Sequence, residues 1–311
     1  MRRLPITFAN VVRQDMKTNR ESAARPAPSR QPVNAPLRGR SPEPTEVIVL
    51  TDGPENVLDG DFPDRRFRSI NRVEMHFYPA IGQARARAMI FPGGGYLDLV
   101  HDKEGIEVAL WLSELGFDAY VVTHRLPGAP TVEGGAGHPS SIALSDSMAC
   151  LRHLESLAPL PLLHVGLSSG GHLAGVMACQ PHAAQLAGLL VGYAPINANH
   201  RRYKAPAGKP DYPPAEKQDF YDAWPVGIAT EPHGVPKVPT FLVYALHDQP
   251  VPIDHALNFV KAMQLTGGDV EAHIFPQAPH GFALRELDGT HKQWPTLAAS
   301  WIDRILSDLV E

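Results

Sequence analysis

The sequence predicts one three-layer α/β domain: a mostly parallel central sheet with helices on both faces (αβα). Three observations predict it. From residue 70 onward, short apolar strand-like runs alternate with helix-like segments, the order that builds a parallel sheet covered on both sides. The run Ala86-Arg87-Ala88-Met89-Ile90-Phe91 is almost continuously apolar, as in a strand with no solvent-facing side. Hydrophobic residues make up 43% of the 311, enough for a sizeable core.

The elements follow in order. Val73, Met75 and Phe77 alternate with polar residues, which predicts a half-exposed strand. The buried strand 86–91 comes next. Residues 104–115 have helical spacing, and Gly116 stands where such a helix would stop. A strand over 118–122 follows, and His138-Pro139 marks the entry to a helix over 139–157. Further strands are expected at 162–167, 186–193, 241–246 and 270–275, with helices at 254–265 and 295–309. The chain shows no internal repeat and no heptads.

The flanks differ in charge from the domain. Net charge is −5, yet residues 1–45 hold nine Lys or Arg against three Asp or Glu, which is +6 and leaves −11 for the rest. This segment is rich in Pro, Arg and Ala and has one aromatic, Phe8. It lacks the apolar surface needed to offset ordering entropy, so a disordered leader is expected over 1–45, above all over 22–46. A transit peptide or an anionic tether would use such a leader. A solvated extension, or a start codon set too far upstream, explains it more simply, because interleaved aromatics that would favour nucleic acid are missing. The domain then spans 46–311.

No apolar run reaches membrane-spanning length, and Met1-Arg2-Arg3-Leu4-Pro5 is not followed by the apolar stretch of a secretory signal. Cys150 and Cys179 fall in helix-like segments and read as buried free thiols, not a disulfide scaffold. A cytoplasmic protein is expected. The stretch 194–238 breaks the strand–helix rhythm. It is rich in Pro, Lys, Tyr and Asp and carries Tyr203, Tyr212, Phe220, Tyr221 and Trp224. A long aromatic-bearing insertion beside a strand end predicts a cap over a pocket; a surface excursion on the sheet edge is the plainer alternative.

The candidate chemistry centres on Gly166-Leu167-Ser168-Ser169-Gly170-Gly171, between the strand 162–167 and a helix-compatible segment from His172. A serine flanked by glycines two residues away on each side is the pattern of a nucleophile on a very sharp strand-to-helix turn. Larger residues at Gly166 and Gly170 would collide there. Ser168 is the candidate nucleophile, and Ser169 is its rival because only the alignment on the glycines differs. A phosphate-binding loop fits less well, since the Lys and Ser/Thr that would follow it are absent. Phe91-Pro92-Gly93-Gly94-Gly95-Tyr96 follows a strand, and its glycines allow backbone N–H groups to turn toward a substrate oxygen. The donors expected are the N–H of Ser169 with that of Gly94 or Gly95. Asp248 ends a strand before the turn Gln249-Pro250-Val251-Pro252, and His280-Gly281 lies in a loop beyond another. The chain order Ser168, Asp248, His280 is that of a nucleophile, an orienting acid and a base. A turn cap and an ordinary loop histidine are the plainer readings of the last two.

Neighbouring residues carry weaker signals. Tyr96 could line a substrate pocket or simply pack. Glu104 and His101 could order the glycine turn or be ordinary helix-start residues. His172 reads as a packed, hydrogen-bonded residue. None of the fifteen histidines has H-x-x-x-H spacing and no C-x-x-C occurs, so no metal and no cofactor are expected.

The chain resembles the α/β-hydrolase esterases of the acetyl-xylan-esterase and BD-FAE-like group. The matching pieces are PGGGY at Pro92–Tyr96, KEG at Lys103–Gly105, HRLP at His124–Pro127 and GLSSGGHLA at Gly166–Ala174. HDQPVP at His247–Pro252, HIFPQAPHGFAL at His273–Leu284 and WPTL at Trp294–Leu297 continue the match, so it covers about 72–305. Three positions depart from the usual pattern: Pro92 where the wider lipase group has His, Ser169 where Ala is usual, and His124 where Tyr is usual. The resemblance implies the α/β-hydrolase fold and cleavage of short-chain carboxylic esters, O-acetyl groups among them, through an acyl-enzyme. An amidase of the same fold, such as an arylformamidase or acyl-aminoacyl peptidase, would use the same three residues. A non-catalytic receptor or scaffold is the third reading. The expected partner is a small-molecule ester, with no nucleic acid and no membrane; self-association into a homo-oligomer stays open.

Overall fold

The computed structural model describes residues 41–131, 134–181, 184–197, 214–231, 233–285 and 287–309. Of the leader expected over 1–45, residues 1–40 lie outside the described residues, as does the part of the insertion over 198–213. The disorder expected over 22–46 does not reach its end, because Tyr78 Oη donates to Pro42 O at 2.9 Å, the Thr45 N–H donates to Phe77 O at 2.9 Å and Glu46 begins a strand.

Ten strands are described: β1 (Glu46–Val49), β2 (Leu58–Asp59), β3 (Arg66–Phe67), β4 (Glu74–Tyr78), β5 (Ala86–Phe91), β6 (Phe117–Thr123), β7 (Leu162–Leu167), β8 (Leu186–Gly192), β9 (Thr240–Ala245) and β10 (Val270–Phe275). The helices are α1 (Glu107–Glu114), α2 (Ile142–Glu155), α3 (Ser169–Ala178), α4 (Ala215–Ala223), α5 (Asp254–Thr266) and α6 (Trp294–Ser307). Eight strands form one sheet in the order β1-β4-β6-β5-β7-β8-β9-β10. β1, β4 and β6 pair antiparallel, and β6 through β10 run parallel. β2 and β3 make a separate short ribbon.

Successive side chains on a strand point to opposite faces, and both faces here are apolar. Ile90, Val121, Val165 and Val243 pack with Trp111, Trp294 and Trp301 of α1 and α6. Met89, Val122, Leu189 and Leu242 pack on the other side with Leu151, Val176, Phe259 and Met263 of α2, α3 and α5. That two-sided burial is why the central strands read as continuous apolar runs. Register sets the site. Phe91 of β5 lies opposite Gly166 of β7, and Leu167 opposite Gly192 of β8, so the loops leaving these strands start side by side at one edge of the sheet.

Several elements differ from expectation. β4 was expected half exposed, but Glu74 and His76 are buried at 3% and 6% exposure. They stay polar inside because Glu74 accepts from Arg72 Nε and pairs with His76 Nε2 at 3.3 Å. The helix expected at 104–115 opens with a π-helical turn over Asp102–Ile106 before α1 begins. It does end at Gly116, with φ +83°. The second helix starts at Ile142, after Pro139. β1 and α4 add elements that the periodicity did not mark.

Candidate active site

Ser168 sits between β7 and α3 with φ 51° and ψ −129°. A non-glycine residue reaches that region only when its surroundings hold it there. Its N–H donates to Gly192 O at 2.9 Å, and its carbonyl accepts from Gly171 N at 2.9 Å. The two flanking glycines are required by space. A Cβ on Gly166 would lie 2.7 Å from Gly171 Cα, and one on Gly170 would lie 2.6 Å from Pro92 O.

Three side chains from distant segments meet here. Ser168 Oγ is 3.2 Å from His280 Nε2, and His280 Nδ1 is 2.7 Å from Asp248 Oδ2. Asp248 is buried, and its other oxygen accepts the Val251 N–H at 2.8 Å. The His280 ring keeps a quarter of its surface open. With Nδ1 protonated toward the carboxylate, Nε2 presents a lone pair to the serine hydroxyl, the arrangement that can accept its proton and return it. Ser169, the rival, points elsewhere: its Oγ accepts the Gly95 N–H at 2.8 Å.

That bond also sorts the glycine loop. Gly93 N–H donates to Glu104 Oε2 at 2.8 Å, and the Gly95 N–H, one of the two expected donors, is engaged by Ser169. Gly94 N–H meets no protein acceptor among the described residues, and neither does the Ser169 N–H at the start of α3. A Cβ on Gly93 would lie 2.7 Å from Leu167 O and 2.7 Å from Ser168 Cβ, so this loop lies directly against the serine.

Tyr96 is buried, and its hydroxyl pairs with His172 Nδ1 at 2.8 Å. Phe220 and Tyr221 of α4 pack edge-on against its ring, at 5.3 and 5.2 Å between centroids. The described part of the insertion therefore rests on the residue that closes the glycine loop. His172 Nε2 pairs with Trp224 O at 2.8 Å; burial lowers its pKa to about 4, so it is a neutral structural residue. Glu104 orders the glycine loop through its bond to the Gly93 N–H. His101 instead packs against His76 and Phe67.

The sequence did not mark what fixes the His280 loop. Arg285 Nε donates to Glu107 Oε1 at 2.6 Å and its Nη1 to Asp64 Oδ1 at 2.6 Å. Trp294 Nε1 donates to Ala283 O at 2.7 Å, and Tyr193, at the end of β8, sets its ring 5.2 Å from that of His280. These contacts cross up to 221 residues of sequence, so no local pattern announces them. Among the described residues no group of three His, Cys, Asp or Glu is placed to hold a metal ion, and no helix is long and apolar enough to cross a membrane.

Residues 135–308, more than half of the chain, match the sequence profile of the prolyl oligopeptidase family. The chain belongs to the prolyl oligopeptidase family. This member has the α/β-hydrolase fold, as the sequence resemblance implied, and is a hydrolase. Solved structures share the fold at low identity. An acetyl ester-xyloside bifunctional hydrolase from Caldicellulosiruptor lactoaceticus superposes with a TM-score of 0.60 at 21% identity, over 85% of this chain and 97% of that one. A carboxylesterase from Lactobacillus plantarum gives 0.57 at 18% identity, over 80% and 96%. Esterase 2 from Thermogutta terrifontis gives 0.55 at 17% identity, over 75% and 90%. The sequence comparison with curated proteins found no match.

Proposed function

We propose that this family member is a serine hydrolase of short-chain carboxylic esters, O-acetyl esters of a sugar or other small alcohol among them. The observation that carries the reading is the continuous hydrogen-bonded chain Ser168–His280–Asp248, at 3.2 and 2.7 Å. Ser168 Oγ attacks the ester carbonyl as His280 Nε2 takes its proton, and the N–H groups of Gly94 and Ser169 receive the oxyanion. The tetrahedral intermediate collapses, His280 returns the proton to the leaving alcohol, and water then hydrolyses the acyl-enzyme by the same steps. No cofactor is needed. Two of the structural neighbours carry esterase names and one an acetyl-ester name, which supports the substrate class. The aromatic packing of α4 on Tyr96 supports a narrow acyl side.

A second reading, cleavage of amide bonds, is favoured by the family match itself, since that family is named for a peptidase. One experiment tests both. A fluorophosphonate probe labels Ser168 in the wild type and nothing in Ser168→Ala. Rates on p-nitrophenyl acetate to octanoate, set against matched anilides, then rank the bonds. Acetate and propionate are cleaved best, with a steep fall by octanoate, because a filled acyl pocket loses rate through overpacking. An optimum at octanoate, or anilides cleaved faster than esters, overturns the acetyl-ester reading.

A further inference from the structure

One buried carboxylate links the two loops that meet over Ser168. Glu104, 4% exposed, lies in the π-helical turn ahead of α1. Its Oε2 accepts the Gly93 N–H at 2.8 Å, and its Oε1 accepts the Tyr193 hydroxyl at 3.1 Å. Tyr193 lies edge-on to the His280 ring at 5.2 Å, and a Cβ on Gly281 would sit 3.9 Å from Glu104 Oε1. The carboxylate thus lies under the glycine loop on one side and beside the histidine loop on the other. Resting on the serine-hydrolase reading above, we propose that Glu104 is a positioning residue for the reaction: it fixes the glycine loop so that the Gly94 N–H faces the oxyanion, and its charge supports the imidazolium that forms on His280.

The geometry accounts for both parts. With the amide of Gly93 held by Glu104 and that of Gly95 by Ser169, the loop is pinned on either side of Gly94. A donor fixed before the reaction needs no reorganisation as charge develops, which is where its catalytic value lies. The charged groups facing Glu104 are few: His280 from the loop beyond β10 and Lys103 from its own turn, together with the Tyr193 hydroxyl from β8 and the Gly93 amide. Burial pushes the Glu104 carboxyl upward, while the Gly93 amide, His280 and the Tyr193 hydroxyl draw it back toward the ionised form. A negative charge beside the His280 loop attracts the positive charge that forms on the ring during the reaction. Removing it therefore weakens the imidazolium in the transition state.

The test compares Glu104→Gln, Glu104→Ala and Tyr193→Phe with wild type, following kcat and KM for p-nitrophenyl acetate across pH, fluorophosphonate labelling and Tm. Gln keeps the shape without the charge: its one oxygen can accept the Gly93 N–H, and its amide N–H can donate to the Tyr193 hydroxyl with the direction of that bond reversed. Glu104→Gln should lower kcat, leave KM nearly unchanged, and move the acid limb of the kcat/KM profile to lower pH. Glu104→Ala frees the loop and should cost about 10²–10³ in kcat, the size of losing one oxyanion donor. Tyr193→Phe should cost about five-fold, the size of one hydrogen bond, with the pH profile in place. A Glu104→Gln protein with wild-type kcat and an unmoved acid limb, whatever its Tm, overturns the proposal, because a purely structural carboxylate predicts that result. The labelling arm separates the two levels. A wild-type protein that is not labelled at Ser168 overturns the serine-hydrolase reading and takes this inference with it. Labelled wild type with unchanged Glu104→Gln kinetics overturns this inference alone.

Discussion

The two loops that meet over Ser168 are held by different means. The glycine loop leaves β5 at the centre of the sheet, and its backbone is gripped directly: Gly93 by Glu104 and Gly95 by Ser169, with no room for a Cβ at Gly93. The histidine loop leaves β10, the last strand of the sheet, and is tied down by long side chains, Arg285 to Glu107 and Trp294 to Ala283. The central loop is therefore sensitive to size, and the edge loop to charge and hydrogen bonding. A backbone donor cannot be substituted away, so its placement depends on what surrounds it. A side-chain base can be mutated, so its placement depends on partners that mutation can also remove.

The contrast can be broken at several points. The largest effect comes from the residues both loops serve. Ser168→Ala should lower kcat by roughly 10⁴–10⁶, His280→Ala by about as much, and the double variant by little more, because the residues act as one unit. Near-wild-type turnover in repurified Ser168→Ala would remove the premise. Next is Gly93→Ala. Its new methyl would meet Leu167 O and Ser168 Cβ, displacing the loop, and kcat should fall by about 10²–10³ with KM little changed. An equal rise in KM would mean that the loop binds substrate in its ground state instead.

The edge loop should answer differently. Arg285→Met leaves Glu107, a buried carboxylate, without its guanidinium, and should lower unfolding free energy by about 1–3 kcal/mol in urea titration. Activity should fall with it, and Arg285→Lys should recover only part, since a guanidinium that reaches Glu107 through two nitrogens and Asp64 through the third is not replaced by a point charge. Unchanged stability in Arg285→Met would show that the loop is held without it.

The last effect appears only in acid and is spread over the fold. Burial lowers His172 and His255 to about 4 each. Unfolded histidine takes up its proton near about 6.5, so the unfolded chain binds more protons between those values. Stability contributed by keeping these rings neutral is full above about pH 6.5 and is lost as pH falls toward 4. Urea midpoints measured over that window should decline, and His255→Asn should flatten the slope.

Much of this was legible in the sequence, and the particulars show why. Ser168 stood out because its constraint is local: two glycines and a strand–helix junction within six residues. Asp248 and His280 needed chain order as well as local context. Gly94 and Gly95 could not be told apart, because what engages the Gly95 N–H is a hydroxyl 74 residues away. The burial of β4 was missed because alternation records polarity, and Glu74 is paired inside with Arg72 and His76. α4 escaped because Ala215–Ala223 is mostly polar and is held by Phe220 and Tyr221 against partners that periodicity does not see. The cap reading rests in part on 198–213, outside the described residues.

The backbone of Ser168 has a consequence for how this protein can change. A φ of 51° with ψ −129° suits glycine and strains any residue with a Cβ, at a cost on the order of 1–3 kcal/mol. On the proposed serine-hydrolase reading, glycine at 168 would abolish the nucleophile and relax the turn together, so the inactive variant should be the more stable one. Selection on folding alone would erode this site, and only selection on turnover can keep the serine. A non-catalytic descendant with an intact fold is a single substitution away, and the step toward it runs downhill.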